Sequence, residues 1–266
     1  GFTVGTDSQN NTNTNDLVSW NWKAGTAVSG STSGSGTAKT YTGSKNTLAG
    51  FSIIKYVGNG TAGHTIPHEL GAVPDCVVVK NLDAGSTEWR NMYPNINTAN
   101  YNLNWNATNS WNDGTEFNDT MPTTSVFTVS AQGDTNSNDV NYIAYCWKNI
   151  TGYSKMGSYI GNGNADGAFV YTGFRPSWIV IKKSSGQHAW RIYDGVRDTH
   201  NVTEKILESN TSNAEATSGT YIVDLVSNGF KLRGDGDGVN GNGDTFIYMA
   251  FGQPIVSNSG IPATAR

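Results

Sequence analysis

The sequence predicts an all-β protein: two tandem antiparallel β-sandwich or jelly-roll-like repeats of about 100 residues each, preceded by the closing strands of a third. Three observations carry this. Short β-branched and aromatic runs recur along the chain, each bounded by Gly, Asn, Asp or Pro, the pattern of strands separated by turns. Helical periodicity is never sustained. One unit is also written twice: GFSIIKYVGNGT at residues 50–61 returns as GYSKMGSYIGNGN at 152–164, with glycines, aromatics and the Gly-Asn-Gly turn in matching places.

The match runs on through each unit. A Gly-x-x-Pro turn follows, Gly71 to Pro74 and Gly173 to Pro176, and then an apolar run ending in lysine, Cys76-Val77-Val78-Val79-Lys80 against Trp178-Ile179-Val180-Ile181-Lys182. Trp89-Arg90 and Trp190-Arg191 come next, each followed by a tyrosine, Tyr93 and Tyr193. Both units close on a Phe strand, a Gly/Asn/Asp loop and an aromatic strand, at Phe127 and Tyr142 to Trp147, and at Phe230 and Phe246 to Phe251. Gly50 and Gly152 are 102 residues apart and Phe127 and Phe230 are 103 apart, so the register holds from end to end.

Taken in order, residues 1–23 match the closing third of the unit, since Phe2 to Leu17 and Phe127 to Tyr142 are both 15 residues apart. The chain thus reads as opening inside an incomplete upstream repeat, either as a piece of something longer or with strands supplied by a neighbour through strand exchange at Phe2 and Trp20. Residues 24–49 are rich in Gly, Ser and Thr and read as a linker, flexible or at most a loose edge hairpin. Residues 50–151 and 152–255 are the two full repeats, and 256–266 a polar tail. The stretch 199–209, with Val202, Ile206 and Leu207, is the one helical turn the pattern suggests.

Composition narrows the function classes. Charged residues are only 14% of the chain, but 11% is aromatic, with 8 tryptophans, which excludes a disordered polar chain. The net charge is −4 with no Lys/Arg cluster, which argues against a nucleic-acid surface. No apolar run approaches the roughly 18 residues of a membrane span. Cys76 and Cys146 both lie in apolar strand patterns and read as two buried thiols, with a disulfide between them the alternative.

Candidate sites are few. His64 and His68 have metal-like spacing but recur in one copy only, and read as turn-capping or surface residues. His188 and His200 stand apart from any acid and nucleophile, and neither a serine-hydrolase elbow nor a phosphate-binding loop occurs. No carboxylate pair marks glycoside hydrolysis, so the chain reads as a non-enzyme. In the acidic loop 234–244, Asp235, Asp237 and Asp244 are the metal candidates, because closely spaced carboxylates can wrap calcium; a plain hairpin loop is the simpler reading. Trp89 and Trp190 recur beside arginine and read as packing residues. Trp105 and Trp111 lie in a polar Asn-rich loop, where exposed indoles could stack on sugar faces, or be buried against the neighbouring unit.

These motifs resemble a known family. GxSxxxYxGNGxxxG, the LGxxP or GFRP turn before VxVK or IxIK, TSVFT and SNGFK, with the entry at Asp16-Leu17-Val18-Ser19-Trp20-Asn21-Trp22-Lys23 and the ending at Gly260-Ile261-Pro262, resemble a repeat domain of unknown function from structural and tail-associated proteins of tailed bacteriophages, marine ones especially. The resemblance covers nearly the whole chain and carries no catalytic residue. It implies a virion structural protein at the particle surface: a tail-fibre, spike or other surface-appendage component, homo-oligomeric with a trimer favoured, in contact with other virion proteins, and with a natural C-terminus. A host-surface carbohydrate adhesin and a head-decoration or fibril-forming protein are the alternatives.

Overall fold

The structure, a computed structural model, describes residues 2–253, so the tail 256–266 lies outside the described residues. It is all-β. In chain order the first part holds a four-residue helix α1 (Ser8–Asn11) and strands β1 (Thr26–Ser31), β2 (Ser33–Gly34), β3 (Thr40–Asn46), β4 (Phe51–Val57), β5 (His64–Pro67) and β6 (Cys76–Asn81). It continues with β7 (Arg90–Met92), β8 (Tyr101–Asn104), β9 (Asn112–Asp113), β10 (Val126–Val129) and β11 (Asn141–Trp147). The second part holds β12 (Ser154–Ile160), β13 (Phe169–Tyr171), β14 (Pro176–Lys183), β15 (Arg191–Asp194) and β16 (Lys205–Glu208). After these come β17 (Ala216–Thr217), β18 (Val223–Val226), β19 (Gly229–Leu232), a helical turn α2 (Asp237–Asn240) and β20 (Thr245–Gly252).

An eight-stranded sheet, β1-β3-β4-β11-β6-β7-β8-β9, and a six-stranded sheet, β12-β20-β14-β15-β16-β17, form the body. Each is faced by a three-stranded sheet, β10-β5-β2 on the first and β13-β19-β18 on the second. The run β4-β11-β6-β7-β8-β9 and the whole six-stranded sheet follow one connection scheme, and every pairing is antiparallel.

Strand alternation sets the layers. Along β6, Val77 and Val79 face Ile66, Phe127 and Val129 of the small sheet, while Cys76 and Val78 face the other way, toward Val180, Ile247 and Met249 of the second large sheet. Ile179 and Ile181 of β14 then face Phe230 and Leu232 of the second small sheet. Three apolar cores therefore separate four sheets, with the two large sheets back to back across the middle one. The outer two cores share an aromatic trio. Tyr56 stacks on Tyr142 at 5.2 Å with Phe127 edge-on at 6.2 Å; Tyr159 stacks on Phe246 at 5.1 Å with Phe230 edge-on at 6.0 Å.

A buried amide lock closes each outer core. Asn136 Nδ2 donates to Asn59 Oδ1 (3.2 Å), Thr61 O (3.0 Å) and Ser130 O (2.7 Å), and the Asn59 N–H donates back to Asn136 Oδ1 at 2.8 Å. In the second unit Asn240 Nδ2 reaches Asn162 Oδ1 (3.1 Å), Asn164 O (2.8 Å) and Gly234 O (2.9 Å), while the Asn162 N–H donates to Asn240 Oδ1 at 3.0 Å. The Gly-Asn-Gly motif is shaped for this contact. A Cβ on Gly58 or Gly161 would lie 2.3 Å from the carbonyl oxygen of Ser137 or Gly241, and Gly60 and Gly163 hold φ of +70° and +62°.

Three expectations are corrected and a fourth is borne out. Residues 24–49 are not a flexible linker: they form the edge hairpin β1–β3, which is tightly held rather than loose, and β2, because Tyr41 packs into the first core and β3 pairs with β4 from Phe51 to Tyr56. Residues 2–23 contain no strand, so the upstream segment is not a folded remnant of a repeat; only its end, at Trp20 and Trp22, packs on the body. The 199–209 stretch contains β16 rather than a helical turn, since Ile206 enters one outer core and Leu207 the middle core from opposite faces. Cys76 and Cys146 are the two buried free thiols that their apolar strand patterns predict, and they face different cores, so the sheet lies between them.

Replacing Asn136 or Asn240 with Ala is expected to lower the unfolding free energy by roughly 2–4 kcal/mol, because each leaves several buried polar groups unpaired. Urea titrations of the two variants measure this, and a loss under about 0.5 kcal/mol would show the lock to be dispensable.

Candidate functional site

The middle core gathers the tryptophans. Residues 20–24 run without regular structure across the junction of the two large sheets and act as a strap. Trp22 lies edge-to-face with Trp178 (5.4 Å), Phe251 (5.3 Å) and Trp147 (6.3 Å), and so touches both units. Trp20 Nε1 donates to Asp194 Oδ2 at 3.2 Å, and the Arg197 guanidinium sits 5.9 Å from its ring centre. The strap is held to the first sheet where Asn46 Nδ2 donates to Lys23 O (3.2 Å) and the Gly25 N–H to Ser44 Oγ (2.9 Å).

The loop after β8 crosses the same junction. Trp105 packs 5.8 Å from Trp190 and 6.2 Å from Trp147, and Trp190 Nε1 donates to Asn104 O at 2.9 Å. The Trp111 N–H donates to Ser184 O (2.9 Å) and the His188 N–H to Thr108 O (3.0 Å), while the Trp111 ring meets Tyr93 edge-on at 6.3 Å. Both candidate sugar-stacking indoles are thus engaged at the seam between units. Of the two recurring tryptophans, Trp190 is buried in this core and Trp89 stacks on Tyr145 at its border.

Between strap and sheets lies an aromatic cavity of about 440 Å³, bordered by Trp22, Trp89, Trp105, Trp147 and Trp178, with Asn21 and Ser209 among its few polar side chains. Such a lining suits an apolar face or a sugar ring, and it contains no His, Cys, Asp, Glu, Lys or Arg side chain. The Nε1 atoms of Trp147 and Trp178 are buried and unpaired among the described residues. Both indoles are edge-to-face with Trp22, a geometry in which a ring can partly stand in for a missing acceptor.

The acidic loop is organised around an ammonium. Asp237 and Asp244 converge on Lys183 Nζ at 2.9 and 2.7 Å, and His188 Nε2 lies 2.7 Å from Asp237 Oδ2. Burial pulls the Lys183 pKa down, but hydrogen bonds to Asp244 and Asp237 outweigh it and leave it raised; the bond to Lys183 holds the Asp237 carboxyl low. Asp235 is exposed and joins neither. Lys183 therefore takes the place a calcium ion would need, and among the described residues no three His, Cys, Asp or Glu side chains gather where they could hold a metal. The loop is not a plain hairpin either, because α2 drives Val239 into the outer core.

The histidine pair is buried rather than at the surface. His64 contacts Asn59 Nδ2 (2.9 Å), Ser35 O (3.0 Å) and Thr32 Oγ1 (2.7 Å); His68 contacts Thr123 O (3.1 Å) and accepts from the Leu70 N–H (3.2 Å). Burial lowers both imidazole pKa values. Both ring nitrogens of each histidine are used in holding β5 and its flanks, which leaves none for a metal. The two run-ending lysines also turn inward. Lys80 Nζ donates to Ala84 O and Thr87 O, each at 3.0 Å, and the fully buried Lys182 donates to the carbonyls of Lys183 and Gly186. Burial first, then Arg191 and Lys183, lowers the Lys182 pKa to about 7.

Titrating the protein with calcium in a calorimeter is expected to give no heat beyond dilution. Replacing Lys183 with Gln should cost roughly 1–3 kcal/mol, as two facing carboxylates lose a mostly buried partner. A calcium heat saturating at one site in the unsubstituted protein would contradict this account of the loop.

No curated protein and no solved structure matches the chain. A profile described as a domain of unknown function (DUF7483) matches residues 1–254, spanning both β units and the strap, and the chain belongs to that family.

Proposed function

We propose that the chain is a non-enzymatic structural component of a bacteriophage particle, a tail-fibre, spike or other surface-appendage protein that assembles as a homo-oligomer and contacts other virion proteins. The observation that supports the reading is the seam. Two β units that share one aromatic core, strapped by Trp20 and Trp22 and crossed by the Trp105 loop, cannot hinge at residues 149–151 as beads on a string would. A body of that kind carries load and presents loops in fixed positions. The bacteriophage setting itself comes from the sequence resemblance.

A second reading, a host-surface carbohydrate adhesin, is favoured by the aromatic cavity at the edge of the seam, where Trp89 and Trp105 are half-buried. On that reading a sugar ring would stack beside Trp105, and Trp111, packed on Tyr93, would act only as a support.

Immunogold labelling of purified particles with antibody raised to residues 50–253 tests the proposal. Label on the particle is expected. Label confined to a tail tip would favour the adhesin, and label spread over the head a decoration protein. Particles that carry no label, in a preparation whose lysate reacts, would overturn the structural reading.

A further inference from the structure

Residues 26–46 do for the first unit something that no segment among the described residues does for the second. There, β3 pairs along β4 from Tyr41↔Tyr56 to Asn46↔Phe51, and β2 pairs with β5, so the outer edge of both facing sheets is covered. The strands in the same places of the second unit are β12 and β13, and each is the terminal strand of its sheet. Part of the β12 edge is satisfied locally, since the Ile150 N–H donates to Ser154 O (3.1 Å) and the Met156 N–H to Asn149 Oδ1 (2.7 Å). Beyond it no described residue pairs with the outer side of Ser158 and Ile160, whereas the matching Lys55 of β4 pairs with Thr42.

That bare edge is apolar. Ile160 is 65% exposed, and on the neighbouring small sheet Phe169 and Tyr171 are 49% and 59% exposed. Its one cation, Lys155, is turned inward, donating to Tyr171 O at 2.8 Å with Nζ 5.3 Å from the Tyr171 ring centre. Natural edge strands are usually blunted by charge, proline, a bulge or short length. None of these protects β12 at Ser158 and Ile160.

Among the described residues the large sheets hold one other long open edge. β1 is the outermost strand of the eight-stranded sheet, six residues long and exposed along nearly all of it, and no charged residue or proline occurs from Ala24 to Ala38. The remaining large-sheet ends, β9 and β17, are two residues each, too short to template a partner.

We infer that β1 of one copy pairs along β12 of the next, so that the eight-stranded sheet of one molecule continues into the six-stranded sheet of its neighbour. The occupant is a second copy because the first unit shows that Ser/Thr/Gly-rich strands of this same chain cover this edge, and because β1 supplies such a strand with its outer backbone groups free. The two edges differ, so the contact is head-to-tail: each copy gives one edge and accepts on the other, and the product is a ring or a filament rather than a two-fold dimer. The inference rests on the reading of the chain as an assembling structural protein and names the surface through which it assembles.

Ser29→Cys and Ser158→Cys, made separately in the full chain, mixed and mildly oxidised, test the pairing; both native thiols are buried and stay silent. A disulfide-linked species only in the mixture is expected. Ile160→Lys should weaken self-association in sedimentation by roughly tenfold, while Val196→Lys, at a position 78% exposed away from either edge, should leave it unchanged. Self-linking of Ser158→Cys would overturn the proposal in favour of β12 pairing with itself. Oligomers that form without the mixed link and ignore Ile160→Lys would overturn it and leave the assembly reading standing. A chain that stays monomeric at every concentration sampled would overturn the pairing, and immunogold labelling would then decide separately whether the virion reading survives.

Discussion

β6, β11, β14 and β20 are apolar on both faces, and most of the architecture follows from that constraint. A strand sends alternate side chains to opposite sides, so a sheet with two apolar faces must be covered twice. In each unit a small sheet covers one face of the large one. The other face is left bare, and the least costly cover available is the matching bare face of the other unit. Cys76, Val78 and Trp147 on one side and Trp178, Val180, Met249 and Phe251 on the other make a core that neither unit owns. The strap and the Trp105 loop fill the margin of that core, which explains why so many tryptophans lie there. Large indoles close the irregular gaps where two twisted sheets diverge.

The same economy shapes the candidate sites. Residues that could have served chemistry are spent on holding loops: His64 and His68 on β5, Lys182 on the turn after β14, Asp237 and Asp244 on Lys183, and the Gly-Asn-Gly asparagines on the closing loops. What the body leaves over is shape. An aromatic cavity lies at the seam, and unprotected strand edges lie at β1 and β12.

Much of this could be read in the sequence, and the residues that resisted did so for identifiable reasons. The apolar runs ending in Lys80 and Lys182 announce themselves because every position is buried on one face or the other. Residues 26–46 read as a linker because their strand character comes from pairing with β4 and from two buried side chains, Thr32 and Tyr41, and composition records neither. At β16 the adjacent Ile206 and Leu207 mimic a helical spacing with Val202, whereas they point into two different cores. Trp105 and Trp111 sit in an Asn-rich stretch that leaves exposure and burial against the other unit both open; contacts with Ser184 and Trp190, far away in sequence, partly bury them. The partners of Asn59 and Asn162 were within reach, since an asparagine stands in the corresponding loop of each unit, but nothing short of the fold says that the amides meet.

The shared core makes the two units one cooperative body. Differential scanning calorimetry of the full chain tests it most directly. A single transition is predicted, with calorimetric and van't Hoff enthalpies equal, because neither unit can keep its inner face buried once the other melts. Two separated transitions, each with the enthalpy of about half the chain, would mean that the units fold independently and that the seam is only a contact between finished domains.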